Sequence, residues 1–379
     1  MTSKSQLINW RQHLHSIAEP AFQEVQTADY LAAELKKLGL SVETNIGQTG
    51  LVASLKKGSS NRSIGIRADI DGLPIQEQSD LSYAAVNRSA MHACGHDGHM
   101  TMALGAAAAL VNEDFDGIVR FIFQPAEEPG YGAKAMIKDR IFDRFPTDEI
   151  YGIHNIPGLP AGHLVTRSGP IMASEDNFVI RINGLGGHAS APQRVVDPLV
   201  IGAQIIVALQ TIVSRSVDPL HSAVVSCTEI FTDGARNAIP GEVIIKGDTR
   251  TFDKEIQKLV EQRMIQIVEG ICSANGAQGT VEYTHEFEPT VNNSKCAKFA
   301  FETAKAVVGE SKSSDECAPI TASEDFGVFS DAIPGCFVFL GVGEDHTPLH
   351  NKHYDFNDEV LEVGVNFYTT LVKNRFSRE

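Results

Sequence analysis

No two of the six cysteines form a CxxC pair, and they lie scattered at Cys94, Cys227, Cys272, Cys296, Cys317 and Cys336. That spread through a long chain excludes a disulfide framework. No uninterrupted run of about 18 apolar residues occurs, so no membrane span is expected. Positive charge is also short. Lys and Arg number 32 against 48 Asp and Glu, a net charge of −16. Binding phosphate needs clustered Lys and Arg, so neither nucleic acid nor a membrane is expected as a partner. The opening MTSKSQLINWRQHLHS lacks the apolar core of a secretory signal, which predicts a cytoplasmic protein. Internal repeats and low-complexity tracts are missing too.

What is present is an ordinary soluble composition, 42% hydrophobic and 21% charged over 379 residues, with length enough for two domains. Residues 5–19, 26–38 and 98–113 carry helical patterns. Residues 63–70, the apolar start of 117–128, and 149–157 read as buried strands. Buried strands alternating with helices predict an α/β layer with a mostly parallel central sheet. From 177 to 289 the style changes. Strand 178–184, a helix opened by Asp197-Pro198, strands 222–231 and 242–252, helix 254–274 and strand 279–289 give the order β-α-β-β-α-β. That is a ferredoxin-like α+β pattern. Helix 295–308, strand 336–343 and helix 358–375 then resume the first style. The expected architecture is a discontinuous α/β domain, 1–176 and 290–379, with an inserted α+β domain at 177–289.

The stretch MHACGHDGHM (91–100) concentrates soft and borderline ligands. Cys94 and His96, two apart, can point the same way from an extended loop, and thiolate with imidazole suits zinc and its neighbours. A structural zinc site would need a second Cys/His knuckle, and a redox centre a resolving cysteine nearby; the sequence supplies neither. Glu127-Glu128 follow a buried strand. Beside a metal, one can ligate while the other moves protons, and adjacent residues leaving a strand are expected to point in different directions. His154 ends another strand. His350 follows a third, with His346 and His353 as competitors expected at the surface. Asp69 and Asp71 also sit at a strand end, where open α/β sheets carry their sites.

Taken in order, the segments RADIDGLPI, MHACGHDGHM, FQPAEEPGYGAKAMI, GIHNIPGLPAGH, GGHASAP, ITASEDFGVF and LHNKHYDFND span nearly the whole chain. The chain resembles the M20 family of metal-dependent amidohydrolases and peptidases. Within it, the resemblance is to the branch of hippurate hydrolase, N-acyl-amino-acid deacylases, plant auxin-conjugate hydrolases and N-acetyl-diaminopimelate deacetylase. The resemblance implies two divalent metal ions per chain, Zn, Mn, Co or Ni. Cys94, His96, Glu128, His154 and His350 would be the ligands, Cys94 as shared thiolate. It further implies Glu127 as general base and Asp69 behind a ligand histidine. His92 and His99 match no ligand position. In the inserted lid and dimerisation domain, His188 would stabilise an oxyanion, reaching a partner subunit's site across a homodimer. Asn237 and Arg250 would bind a substrate carboxylate or complete the oxyanion site. Gln193 stands where the family often has His, and Lys352-His353 where it usually has Pro and one other residue. The implied activity is hydrolysis of the amide bond of a small N-acyl amino acid. The rivals are a dipeptidase or carboxypeptidase, a non-catalytic binding homologue, and a cysteine hydrolase using Cys94.

Overall fold

A computed structural model describes residues 3–86 and 89–377. The chain forms two compact units. One comprises Met1–Ile171, Val291–Ala318 and Asp325–Glu379; the other comprises Met172–Thr290 and Pro319–Glu324.

The first unit is built on an eight-stranded sheet. From edge to edge it runs Ser41–Ile46, Gly50–Lys57, Gly117–Gln124, Ser63–Asp69, Glu149–Pro157, Gly335–Gly343, Leu164–Val165 and Ser313–Ser314. The four central strands, Gly117–Gln124 through Gly335–Gly343, are parallel to one another. Antiparallel pairs flank them. Ser63–Asp69 is buried at every residue, as expected of a parallel strand covered on both faces. The hairpin Ser41–Ile46/Gly50–Lys57 was not expected. Its outer strand SVETNI is largely exposed and carries too few apolar residues to signal itself.

Helix His96–Leu110 lies in the core of this unit and is almost wholly buried. Its alanines and glycines allow close packing. A Cβ on Gly105 would come within 2.6 Å of Val365 and 2.7 Å of Leu7, so helices Lys4–Ser16 and Leu361–Arg375 can approach that point. The helix begins two residues earlier than the periodicity predicts. Gly95 caps it at φ 88°, in the left-handed region, where a glycine carries no Cβ penalty. Cys94 and His96 are therefore joined by a tight turn into a helix, rather than by an extended loop.

The second unit has the strand order Ala223–Thr232, Glu242–Thr251, Glu175–Asn183, Gln278–Phe287, all neighbours antiparallel. Helices Pro198–Thr211 and Lys254–Ala274 complete a β-α-β-β-α-β chain order. Asp197 caps the first helix, accepting from the N–H groups of Leu199 and Val200; Asp253 caps the second, accepting from those of Glu255 and Ile256. Ile180, Ile182, Ile201, Ile205, Val243, Ile245, Val260 and Met264 form its own core. Residues 319–324 run with this unit. The Ala173 N–H donates to the carbonyls of Ile320 and Ala322 at 3.2 and 3.0 Å, and Ser323 Oγ donates to Glu175 at 2.6 Å.

Helix Pro198–Thr211 continues as a wider turn to Ser216. Over that span it is long and apolar enough to cross a membrane by composition alone, with mean hydropathy 1.5. Polar residues interrupt the run, and Ile201, Ile205, Leu209 and Ile212 bury one face in the second core.

Candidate metal centre

The site lies in the first unit, around the carboxyl ends of its parallel strands. His154 belongs to Glu149–Pro157. Glu127 and Glu128 follow Gly117–Gln124, and Asp69 ends Ser63–Asp69. His96 opens the helix that follows Gly95. His350 follows the strand Gly335–Gly343 at φ 62°, its N–H donating to the Ala93 carbonyl at 2.8 Å.

Two imidazoles are held in one tautomer by the backbone. His96 Nδ1 donates to the Asp71 carbonyl at 2.9 Å, and His154 Nδ1 donates to the Asn155 carbonyl at 2.8 Å. In each ring Nε2 is then the nitrogen left facing the cleft, the one a metal-binding histidine offers once it is deprotonated. His154 Nε2 lies 3.5 Å from Cys94 Sγ. His96 Nε2 lies 3.8 Å from Glu128 Oε1 and 3.9 Å from Glu127 Oε2. His350 Nε2 lies 3.6 Å from Glu128 Oε2. Cys94 belongs to two groups of converging donors, one with His96 and His154 and one with Glu128 and His350.

Glu127 and Glu128 converge on this cleft rather than diverging. Ala126 sits at φ 48°, so the chain has left the strand before the pair begins and the alternation of a strand no longer applies. The Glu128 N–H donates to Asp71 Oδ2 at 3.0 Å.

Burial and neighbouring charges shift the cleft's donors away from their ordinary values. Burial, then Glu128, pushes the Cys94 thiol well above its ordinary value. Burial pushes the Glu128 carboxyl up to about 8. Burial opposes charge on His96, yet Asp69 and the Asp71 hydrogen bond raise it well above the usual imidazole value. Burial and then His99 depress His154. His96 Nε2 and Glu128 Oε1 are buried and accept no hydrogen bond. Orphaned buried atoms of this kind are costly unless something binds them. Sulfur, imidazole and carboxylate donors within 4.8 Å of one another in each group fit a divalent transition metal.

Some expected residues lie elsewhere or do other work. Asp69 Oδ1 accepts from His99 Nδ1 at 2.6 Å, and Asp69 Oδ2 accepts from Arg67 at 2.8 Å. It thus hydrogen-bonds His99 and lies 3.8 Å from His96 Nε2 through Oδ2, while the Asp71 carbonyl takes the His96 Nδ1 hydrogen bond. His99 is fully engaged, with Nε2 2.6 Å from Asn155 Oδ1. His353 is exposed and His346 half-buried against Tyr354. His92 is buried with neither ring nitrogen hydrogen-bonded. The second unit carries His188 and Asn237. His188 is exposed and pairs with Ala238, and the Ala189 N–H donates to the Asn237 carbonyl at 3.0 Å. Arg250 is ion-paired to Glu175 at 2.7 Å and to Asp248 at 3.0 Å.

Residues 65–374 match the model of peptidase family M20/M25/M40. A hippurate hydrolase from Campylobacter jejuni is 42% identical over 95% of this chain and 94% of its own. An N-acetyl-L-cysteine deacetylase from Bacillus subtilis is 39% identical, over 92% and 83%. A thermostable carboxypeptidase from Saccharolobus solfataricus is 34% identical, over 95% and 92%. Among solved structures, a dinuclear metal binding peptidase of the M20 family from Bacillus subtilis superposes with a TM-score of 0.86 at 32% identity, covering 98% of both chains. The match spans most of the sequence and includes every donor of the cleft, so the chain belongs to peptidase family M20/M25/M40.

Proposed function

We propose that the protein hydrolyses the amide bond of small N-acyl amino acids at a pair of divalent cations. Cys94, His96 and His154 would hold one, and Cys94, Glu128 and His350 the other, with Cys94 shared. The observation that carries this reading is the convergence of two Nε2 atoms oriented by Nδ1–carbonyl hydrogen bonds, a sulfur and two carboxylates on one buried cleft. Cations bound there would polarise the scissile carbonyl and make water acidic enough to attack near neutral pH. Zinc, manganese, cobalt and nickel all suit the donor set.

Glu127 is the general base. It takes the proton from the attacking water and hands it to the amine as the C–N bond breaks. His188 stabilises the oxyanion. The Ser190 N–H donates to His188 Nδ1 at 3.1 Å, which leaves Nε2–H as the free donor of the neutral ring. Asn237, beside it, and Arg250 bind the substrate carboxylate, Arg250 by exchanging Glu175 for it.

The functional unit is a cytoplasmic homodimer assembled through the second unit. Ala223–Thr232 is an edge strand whose Ile230 and Phe231 are 46% and 49% exposed, and Val207 on the neighbouring helix is 71% exposed. Edge strands with apolar residues invite pairing with another chain. Light scattering on wild type and Phe231→Lys checks this: a dimer that dissociates on substitution is expected, and a monomeric wild type would exclude it.

A carboxypeptidase reading shares the chemistry and is favoured by the similarity to the Saccharolobus enzyme. A panel separates the two. Apo protein is assayed on N-acetyl and N-benzoyl amino acids and on dipeptides, before and after adding each metal, with bound metal counted. Turnover of the acyl amino acids restored at two metals per chain is expected. Activity without metal would move Cys94 into the role of nucleophile.

A further inference from the structure

Glu24 is a buried carboxylate far from the metal cleft in sequence and outside the roles assigned so far. It is fully inaccessible and precedes helix Val25–Lys37 without capping it. Its two oxygens are committed elsewhere. Thr49 Oγ1 donates to Oε2 at 2.5 Å, and the Ala126 N–H donates to Oε1 at 2.8 Å.

Ala126 is the residue whose φ of 48° turns the chain out of the strand. A non-glycine residue in this region is disfavoured and persists only where its surroundings enforce it. The surroundings here are specific. Pro125, ahead of it, has no N–H to offer. The Ala126 carbonyl accepts from the N–H groups of Tyr131 and Gly132 at 3.2 and 2.9 Å. A Cβ at Gly132 would lie 1.5 Å from the Pro125 carbonyl oxygen, so the turn closes tightly on itself. On the other side of Glu127, the Glu128 N–H is held by Asp71. Two buried carboxylates from separate parts of the chain thus grip the backbone N–H groups on either side of Glu127.

We propose that Glu24 is a positioning residue for hydrolysis. By holding the Ala126 N–H it locks the left-handed turn that brings two successive carboxylates, Glu127 and Glu128, to the same cleft. The inference rests on Glu127 being the base, and the controls separate the two ideas.

The test uses full-length, metal-loaded protein in four variants: Glu24→Ala, Glu24→Gln, Glu24→Ala combined with Ala126→Gly, and Glu127→Gln. Metal content and the cobalt-thiolate absorption of the Co(II) form are recorded alongside kinetics. Glu24→Ala is expected to lower kcat by about 10- to 100-fold, the usual cost of losing an outer-shell partner. Cobalt held by Cys94, His96 and His154 should keep its thiolate band, while occupancy of the position that Glu128 and His350 share with Cys94 should weaken, since Glu128 leaves the same turn. Glu24→Gln keeps an acceptor for the N–H and should retain kcat within about threefold, since no buried donor is left unsatisfied. Glycine adopts φ near +48° without a Cβ clash, so Ala126→Gly should return part of the kcat lost in Glu24→Ala.

Wild-type kcat in Glu24→Ala would overturn the proposal, as would a double variant no better than Glu24→Ala. So would a Glu24→Gln as slow as Glu24→Ala. If Glu24→Ala does not fold, Glu24→Gln is judged against wild type, where kcat within about threefold is expected and a loss of about tenfold or more overturns the proposal. A fully active Glu127→Gln would instead overturn the base assignment.

Discussion

At the residue scale, backbone carbonyls decide which nitrogen of His96 and of His154 faces the cleft. Nδ1 of His96 and of His154 each give a proton to a neighbouring carbonyl, so each ring has one nitrogen left to bind with. Glu128 adds a titration that can be measured. Its folded pKa, raised by burial to about 8, lies above the unfolded value of 4.5. The apo protein therefore keeps a proton there that the unfolded chain loses, and this contribution to apo stability fades as pH rises from 4.5 through about 8. Cation binding at pH 7 must expel that proton. Calorimetry in two buffers of different ionisation enthalpy should show net proton release and an affinity that rises with pH; release of no protons would contradict it. Glu127→Gln should keep both metals and lose about 100-fold or more in kcat, as removal of a general base does, read by metal analysis and steady-state kinetics.

At the element scale, helix Lys4–Ser16 braces the segments that carry two expected ligands. Arg11, wholly buried, donates to Asp358 through Nε and Nη2 at 2.7 and 2.8 Å and to Asp355 at 2.7 Å. Its Nη1 is also 3.7 Å from Asp97. The acids it joins lie beside His96 in one segment and beyond His350 in the other. Arg11→Met would leave Asp355 and Asp358 without their cation, while Asp97 would keep His15. A loss of about 3–5 kcal/mol is expected from breaking a buried pair, measured by urea unfolding of the apo protein. His15, one turn on, lies 2.8 Å from Asp97 and 3.4 Å from Glu77. Burial opposes its charge, but Asp97 and Glu77 raise its pKa to about 9. That stabilisation is complete below the unfolded value of 6.5 and is lost as pH rises through about 9. The melting temperature of wild type should fall over this window more steeply than that of His15→Gln. Parallel curves would place the ring outside the network.

At the scale of the whole molecule, the sequence already contained much of the architecture. Long buried strands and well-capped helices announce themselves locally, as at Ser63–Asp69 and at Asp197-Pro198. The outer strand Ser41–Ile46 did not, because an exposed edge strand has little apolar signal. The start of helix His96–Leu110 was misplaced because Gly95 reads as a breaker whether it lies inside a loop or caps a helix.

The sequence by itself determined the chemistry available: which donors exist, which strands end in them, and the ordered motifs that mark the family. These are local properties, written in composition and spacing. The tertiary structure alone decided direction. It turned Glu127 and Glu128 to one side through a left-handed Ala126, put the Asp71 carbonyl on His96 Nδ1 and bonded Asp69 to His99. It also set buried Arg11 among acids from distant segments. Such relations depend on packing between residues far apart in the chain, where periodicity carries no information and only burial and hydrogen-bond satisfaction choose among the arrangements.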